Sequence, residues 1–229
     1  MKTVQLFLRT ILPLICFAIL VNSCDKDGES KNMTIGGDTN FAENQVGATS
    51  TGFTTINGNS AADAQIKVVG NSNGITTFEI SATLSNDFKE KITNLGNAFY
   101  GGSFDNYKSK FLDSNGNLNT KIKVINSSEG VAFINPNGKQ VVVMKYDAKV
   151  GDKWSHTKID GNKVNFEVKH KSTTDDYSYA FFNIKVVKVE QKYQQPGYSK
   201  IVYIGNHKFG LVGMEIHLED GTVIKSTKI

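Results

Sequence analysis

Residues 66–84 read Ile-Lys-Val-Val-Gly-Asn-Ser-Asn-Gly-Ile-Thr-Thr-Phe-Glu-Ile-Ser-Ala-Thr-Leu, two apolar runs separated by a polar stretch that ends in Asn73-Gly74. Both runs are rich in β-branched and aromatic residues and alternate in places with a period of two, as strands do. Asn-Gly supplies the positive φ angles that tight hairpin turns require. This stretch therefore predicts an antiparallel β-hairpin.

The same alternation of strand-like runs and turn signals continues to residue 224. Further strand-like runs occupy 121–125, 131–134, 140–146, 164–168, 180–189, 201–204, 211–218 and 222–224. Four more turn signals lie between them: Asn115-Gly116, Asn137-Gly138, Asp160-Gly161 and Asp220-Gly221. Repeated hairpin signals favour antiparallel pairing over parallel βαβ units. We therefore expect an all-β domain built on an antiparallel curved sheet or a sandwich.

Two local features modify this picture. Phe182, Ile184 and Val186 share one strand face, whereas Val187 and Val189 lie on the other, which predicts a bulge or a change to a second core near Val186. One short helix is predicted after the first hairpin, with a capping pattern at Asp87 and Glu90, an apolar face at Phe88, Ile92 and Leu95, and a stop at Gly96. We expect this helix to plug one end of the curved sheet.

The N-terminus has the pattern of an export signal. Lys2 and Arg9 precede an apolar run over residues 11–21, which is about half the length of roughly 20 residues that a membrane span needs. The run ends in Val21-Asn-Ser-Cys24, which resembles the lipobox of bacterial lipoproteins. The resemblance implies that residues 1–23 are cleaved between Ser23 and Cys24, and that Cys24 carries the lipid. Two or more acyl chains hold a protein stably on a bilayer.

The residues that follow Cys24 form either a sorting signal or a flexible spacer. Asp25-Lys-Asp-Gly-Glu29 resembles the surface-export signal of Bacteroidota lipoproteins, and a solvated tether is the alternative interpretation. Residues 24–60 are rich in Gly, Asn, Ser and Thr, so we expect a flexible acylated tether there and a single β-rich domain over 61–229. The expected location is the cell envelope, as an outer-membrane lipoprotein displayed at the cell surface.

Charge and composition exclude several classes of partner. The formal charge is +4, and it falls to about +2 once Lys2 and Arg9 leave with the signal. Arg9 is the only arginine, so the mature chain lacks the bidentate group favoured for phosphate and guanine recognition, and we expect no nucleic-acid binding. Cys24 is the only cysteine after the signal, so no disulfide framework is expected.

Motifs for catalysis or metal binding are incomplete. Residues 70–74 match G-x-S-x-G, but a strand-like run follows the serine where a nucleophile elbow needs a helix, so we interpret them as a hairpin turn. Residues 113–119 resemble a calcium loop but lack its glycine and glutamate positions, which favours a polar turn over a weak calcium site. The four histidines lack metal-ligand spacings. We predict no catalytic residue, no metal and no cofactor.

Aromatic side chains offer the candidate ligand contacts. Trp154, the only tryptophan, is expected to pack in the core. Tyr177, Tyr179, Tyr193 and Tyr198 lie in polar stretches, where exposed rings would stack on sugars or contact a protein partner.

Residues 146–154, which contain Val-Gly-Asp-Lys-Trp, and Gly210-Leu-Val212 resemble a loose class of envelope lipoproteins of unknown function with a curved antiparallel sheet. The resemblance brings no catalytic residues. We therefore predict a non-enzymatic binding module at the cell surface whose partner is a glycan or a protein. A periplasm-facing lipid-binding or chaperone-like lipoprotein is the first alternative, and an apolar concavity in the sheet would favour it. A hydrolase with a dispersed site is the second, and a Ser–His pair would favour it.

Overall fold

The structure is a computed structural model that describes residues 33–84, 103–157, 163–192 and 197–228, together with the helical residues Lys89, Thr93, Gly96 and Asn97. The signal, Ser23, Cys24, Tyr193 and most of the predicted helix lie outside the described residues. Within the described part of the chain, no helix is both long enough and apolar enough to cross a membrane.

The described residues are almost entirely β-structure, which confirms the predicted all-β class. The strands are Thr49–Ile56 (β1), Asn59–Ser72 (β2), Ile75–Ala82 (β3), Leu118–Asn126 (β4), Gly130–Ile134 (β5), Gln140–Lys145 (β6), Lys153–Thr157 (β7), Lys163–Lys171 (β8), Tyr177–Tyr179 (β9), Phe182–Ile184 (β10), Val187–Lys192 (β11), Tyr198–Asn206 (β12), Gly210–Leu218 (β13) and Val223–Lys228 (β14). Short 3₁₀ turns cover Ala42–Asn44, Phe104–Asn106 and Lys108–Lys110.

Twelve of these strands form one antiparallel sheet in the order β6-β5-β4-β3-β2-β1-β14-β13-β12-β11-β8-β7. The order divides the sheet into two halves. Strands β1 to β6 run consecutively in the first half, and the second half ends in β14, which pairs with β1 from Gly52 opposite Lys228 to Ile56 opposite Ile224. The ladder between the first and the last strand of the chain therefore joins the two halves.

The sheet curves strongly, so that its two outermost strands approach each other. The indole N–H of Trp154 on β7 donates to the carbonyl of Val142 on β6 at 2.8 Å. The same indole stacks on Phe166, with ring centroids 5.8 Å apart. Trp154 also packs against the main core, as the sequence predicted. A side-chain contact thus links the two edges where no backbone ladder does.

The main core fills the inside of this curve, and a second core lies on its outer face. In the second core, β9 and β10 form a separate hairpin that packs on β12 and β13 through Tyr179, Ile184, Val202 and Val212. Val186 belongs to this outer core, whereas the next residue, Val187, belongs to the main core. The chain therefore changes cores at the position that the sequence predicted.

The tether prediction for residues 24–60 is wrong from residue 33 onward. Ile35 is buried against Ala132 and Val142, and β1 lies inside the sheet between β2 and β14. The inward positions of β1 are Gly52, Thr54 and Ile56, which give little apolar signal, so the strand resembles a polar linker in sequence.

The turn chemistry explains much of the topology. Asn73 and Gly74 both have positive φ, 52° and 76°, and close the β2–β3 hairpin as the sequence predicted. The G-x-S-x-G match therefore covers the last residues of β2 and the Asn73-Gly74 hairpin turn. Asn57 and Gly58 have φ values of 48° and 81° and close β1 onto β2 in the same way. Such a pair of positive φ angles is the signature of a tight two-residue turn, and Asn-Gly adopts it most readily.

Candidate cavity inside the curved sheet

An open cavity of about 110 Å³ lies on the inner face of the sheet, near the ladder that joins the two halves. One wall comes from β1 to β5 and the other from β13, β14 and the turn before β13. The lining residues are Gly52, Ile66, Phe78, Ile80, Ile122, Val124, Asn126, Val131, Phe133, Phe209, Leu211, Gly213, Met214, Ser226 and Lys228. The fold thus builds the cavity from residues far apart in the chain.

Within the described residues the lining is apolar except at three side chains, those of Asn126, Ser226 and Lys228. Ile66, Phe78 and Leu211 face inward and yet remain partly exposed, so the cavity is open to solvent. An apolar cavity of roughly 150 Å³ in another protein stays dry and accepts benzene. A space of about 110 Å³ therefore suits a short segment of one alkyl chain.

Two of its three polar side chains, those of Asn126 and Lys228, lie at one end, whereas Ser226 lies opposite Met214. Asn126 ends β4, Phe209 lies in the turn just before β13, and Lys228 ends β14. The more deeply placed lining residues, such as Ile80, Ile122 and Met214, are buried and apolar. The arrangement combines an apolar interior with a polar end, which is the distribution that an amphiphile requires.

Among the lining residues that the structure describes, Lys228 alone carries a charge. Its ammonium donates to the carbonyl of Phe209 at 3.3 Å. Burial lowers the pKa of the Lys228 amine, and the negative charge of Glu43 opposes that shift. Among the residues that the structure describes, no carboxylate forms an ion pair with Lys228. The amine therefore retains donor capacity, because an ammonium has three N–H groups.

Asn126 is held by residues at the N-terminal side of the domain. Its side-chain amide donates to the Asn44 carboxamide oxygen at 3.3 Å, and the Asn44 side chain donates back to the Asn126 carbonyl at 2.9 Å. Both residues are buried. Residues 33–48 therefore help to form the polar end of the cavity, which gives a structural purpose to a segment that the sequence predicted to be a tether.

Gly52 leaves room beside Lys228. The two residues are directly opposite each other in the β1–β14 ladder, so they lie on the same face of the sheet. Gly52 is not among the glycines with positive φ, so its backbone is open to other residues. A side chain at this position would extend toward the cavity, because it shares the inward face of β1 with Thr54 and Ile56.

The tyrosines predicted to contact a ligand have different environments. Tyr179 and Tyr198 are only 7% and 5% exposed, and each belongs to a core, so the exposure expected for their rings is not observed. Tyr177, the first residue of β9, is partly buried against the outer core, with Lys188 over its ring at 5.8 Å. Their apolar rings pack against β-strands, and the polar neighbours in sequence face outward. A role for Tyr177 in ligand contact stays a prediction, as does one for Tyr193.

A serine, a histidine and an aspartate meet at the end of β8, an arrangement that was not predicted from the sequence. The Ser172 hydroxyl donates to Asp176 at 2.5 Å and accepts from the Val186 amide at 3.0 Å. His170 Nε2 lies 3.3 Å from the same hydroxyl and 3.6 Å from Asp176. In a nucleophilic triad the histidine lies between the serine and the acid and uses both ring nitrogens. Here the serine bonds the acid directly, so the cluster fastens a loop.

The other polar motifs are also structural. Asp113 Oδ1 accepts the amides of Asn115 and Asn117 at 2.8 Å each, which closes a polar turn. The hydrogen bond from Asn117 holds the pKa of this carboxyl below its ordinary value. In the described part of the chain, no three His, Cys, Asp or Glu side chains are grouped so that they could hold a metal.

The residues that line the cavity were not predicted from the sequence. The described lining residues come from seven strands and one turn, and no single strand contributes more than three of them. The available signal was the alternation in Val223-Ile-Lys-Ser-Thr-Lys228, in which Ile224, Ser226 and Lys228 share one face. That pattern places Lys228 on the same strand face as the core residue Ile224. Lysine is rare at core-facing positions unless its charge is paired.

Comparisons with known proteins leave the family open. No family model and no curated protein matches the sequence. Among solved structures, the hypothetical lipoprotein YmcC from Escherichia coli is similar over 78% of this chain and 82% of its own, with 6% identity and a TM-score of 0.33. A protein from Parabacteroides distasonis described as a lipoprotein is similar over 81% and 94%, with 10% identity and a TM-score of 0.35. At these TM-scores, fold and function rest on this chain's own residues.

Proposed function

We propose that this protein is a lipid-anchored envelope lipoprotein that acts as a non-enzymatic binding module, and that its ligand is an apolar group held inside the curved sheet. The observation that carries the proposal is the open cavity of about 110 Å³, lined by residues such as Ile66, Phe78 and Leu211. Ligand sites are typically concave and mostly apolar, with a few polar groups that set orientation. The cavity has this composition.

The ligand differs from the glycan or protein partner that the sequence favoured. That prediction depended on exposed tyrosines, and two of the four are buried. The apolar concavity favours the lipid-binding alternative instead. Attachment through Cys24 and display at the cell surface remain part of the proposal, and they are supported by the lipobox and the acidic tether.

Binding of a neutral apolar probe tests the cavity. N-phenyl-1-naphthylamine fluoresces strongly when it leaves water, so titration with the purified protein should give a saturable increase. Gly52→Val should weaken binding roughly tenfold, because forcing a side chain into occupied space costs about 1–3 kcal/mol. Thr51→Val is the matched control, since Thr51 lies on the same strand and faces outward.

Two outcomes would contradict the proposal. Either the wild-type protein gives no saturable fluorescence increase, or Gly52→Val binds the probe as tightly as Thr51→Val does while both remain folded by circular dichroism.

Protease treatment of intact cells tests the location separately, with a periplasmic protein as leakage control and Cys24→Ala as the unanchored variant. Cleavage in intact cells supports surface display, and protection until the outer membrane is opened would overturn it.

A further inference from the structure

We infer that the cavity is built for a single-chain anionic amphiphile: an alkyl chain occupies its apolar part and a carboxylate pairs with the ammonium of Lys228. This inference rests on the proposed function and adds the chemical class of the ligand. It depends on three features of the described residues: the position of the Lys228 ammonium, its incomplete pairing, and the volume of the cavity.

The position of Lys228 fits a head group. The amine lies at the end of the cavity that also contains Asn126 and the Phe209 carbonyl, whereas Ile80, Ile122 and Met214 line the deeper part. An amphiphile placed with its chain among the isoleucines would bring its head group to this end. Asn126 could then donate or accept a further hydrogen bond, because a carboxamide does both.

The pairing of Lys228 is incomplete without a ligand. A buried charge is costly unless it is paired and hydrogen-bonded. Its one hydrogen bond within the described chain goes to a neutral carbonyl, at 3.3 Å. The Glu43 carboxylate acts on it electrostatically without an ion pair. A ligand carboxylate would supply the charged acceptor that the described residues do not bring to the amine.

The volume of the cavity limits the chain. A volume of about 110 Å³ matches a short segment of one alkyl chain. A single acyl chain is therefore favoured over a two-chain lipid. Affinity should rise about fourfold for each methylene that becomes buried and then level off once the chain reaches solvent, because further carbons lose no contact with water.

Displacement of N-phenyl-1-naphthylamine from the purified protein tests the head group. Octanoate, 1-octanol, octylammonium and monooctyl phosphate share one chain length and differ in charge. We expect octanoate to compete roughly ten- to a hundredfold better than 1-octanol, as a charge-assisted hydrogen bond would give, and octylammonium to compete worst. If monooctyl phosphate competes better than octanoate, the head group is a phosphate and the carboxylate assignment is overturned.

Lys228→Met separates the charge from the cavity. Methionine keeps most of the side-chain volume and removes the charge, so this variant should bind the probe and 1-octanol as before and lose the preference for octanoate. Lys208→Met is the matched control, since Lys208 is exposed beside Phe209 and carries the same charge. Lys228→Arg should retain part of the preference, which distinguishes the role of charge from a packing effect.

The two proposals fail in different ways. If the wild-type protein does not bind the neutral probe, the cavity is not a ligand site and the proposed function fails. If the probe binds but octanoate and 1-octanol compete equally, or if Lys228→Met keeps the octanoate preference, the anionic ligand class is wrong and apolar binding stands. A chain-length series from butanoate to dodecanoate that shows no plateau would contradict the single-chain segment.

Discussion

At the scale of single residues, a few side chains connect parts of the fold that the backbone leaves apart. Trp154 does so at the open seam, where its indole N–H reaches the Val142 carbonyl at 2.8 Å. Lys171 provides a second tie, since its ammonium donates to the carbonyls of Tyr146 and Ala148 at 2.9 Å and 3.0 Å. Both contacts join β6 and the loop after it to the β7–β8 pair, across the seam where the described residues of β6 and β7 form no ladder.

The contribution of Trp154 can be measured. Trp154→Phe keeps an aromatic ring for stacking on Phe166 and removes the donor, so we expect a loss of about 1 kcal/mol in the free energy of unfolding. Trp154→Ala also removes the ring and should lose about 3 kcal/mol or more. Urea unfolding followed by circular dichroism measures both, because the variants lack the only tryptophan.

Phe181→Leu is the matched control, since Phe181 is fully exposed in the turn between β9 and β10 and the change should leave stability within about 0.5 kcal/mol. Equal stability of Trp154→Phe and the wild type would show that the indole donor does not hold the seam.

At the scale of strands and turns, the sequence was informative where side chains alternate and uninformative where they do not. β4 alternates buried and exposed residues along its length up to Val124, and its predicted core at 121–125 lies within it. β1 was assigned to the tether, with only Phe53 and Ile56 as a possible strand start, because glycine and threonine occupy two of its inward positions. Asn57-Gly58 was a usable hairpin signal, but its flanking residues are too polar to suggest strands.

The candidate site was harder to predict than the fold for a physical reason. Strand periodicity tells which residues face the same side of one strand, and it does not tell which strands face each other across a curved sheet. Ile66 and Leu211 line one cavity although they lie far apart in the chain. Burial of Tyr198 could not be predicted either, because its neighbours in sequence are polar while its ring enters the main core.

The outer faces of the strands carry ion pairs that make stability depend on pH. Glu215 on β13 lies 3.0 Å from Lys225 and 3.2 Å from His217. Burial alone would raise the pKa of Glu215, but the Lys225 and His217 interactions outweigh it and hold the pKa below its ordinary value of 4.5. A carboxylate with a lowered folded-state pKa contributes stability above its unfolded-state pKa, and that contribution is lost as the pH falls through the folded value.

We therefore expect the thermal midpoint to fall as the pH drops below about 4.5, and Glu215→Gln to reduce this acid dependence while lowering the midpoint at pH 7. Glu219→Gln is a suitable control, since Glu219 is exposed in the turn after β13. Parallel pH profiles for wild type and Glu215→Gln between pH 3 and pH 7 would argue against this role for the β13–β14 ion pairs.

At the scale of the whole molecule, the last strand in sequence holds the two halves of the sheet together. β14 pairs with β13 of its own half and with β1 of the other, and the side chains of Thr54 and Ser226 meet across 172 positions of sequence. Contacts of such long range are slow to form, because closing a long loop precedes the gain from the contact. The cavity lies against the β1–β14 ladder. The cavity therefore forms only when this ladder closes the fold.

A chain that ends at Thr222 should therefore lose more than one strand. Without β14, β1 and β13 become unpaired edges, Lys228 is absent, and the cavity loses one wall. We expect this variant to lose the cooperative thermal transition and the binding of N-phenyl-1-naphthylamine together, whereas removal of an outermost strand would only fray the sheet. Insertion of Gly-Ser-Gly between Asp220 and Gly221 is the control, because lengthening a surface turn costs little and keeps β14 in place. If the truncated chain unfolds cooperatively at the wild-type midpoint, β14 is not the element that joins the two halves, and the inner packing around Tyr203 and Phe166 must hold them instead.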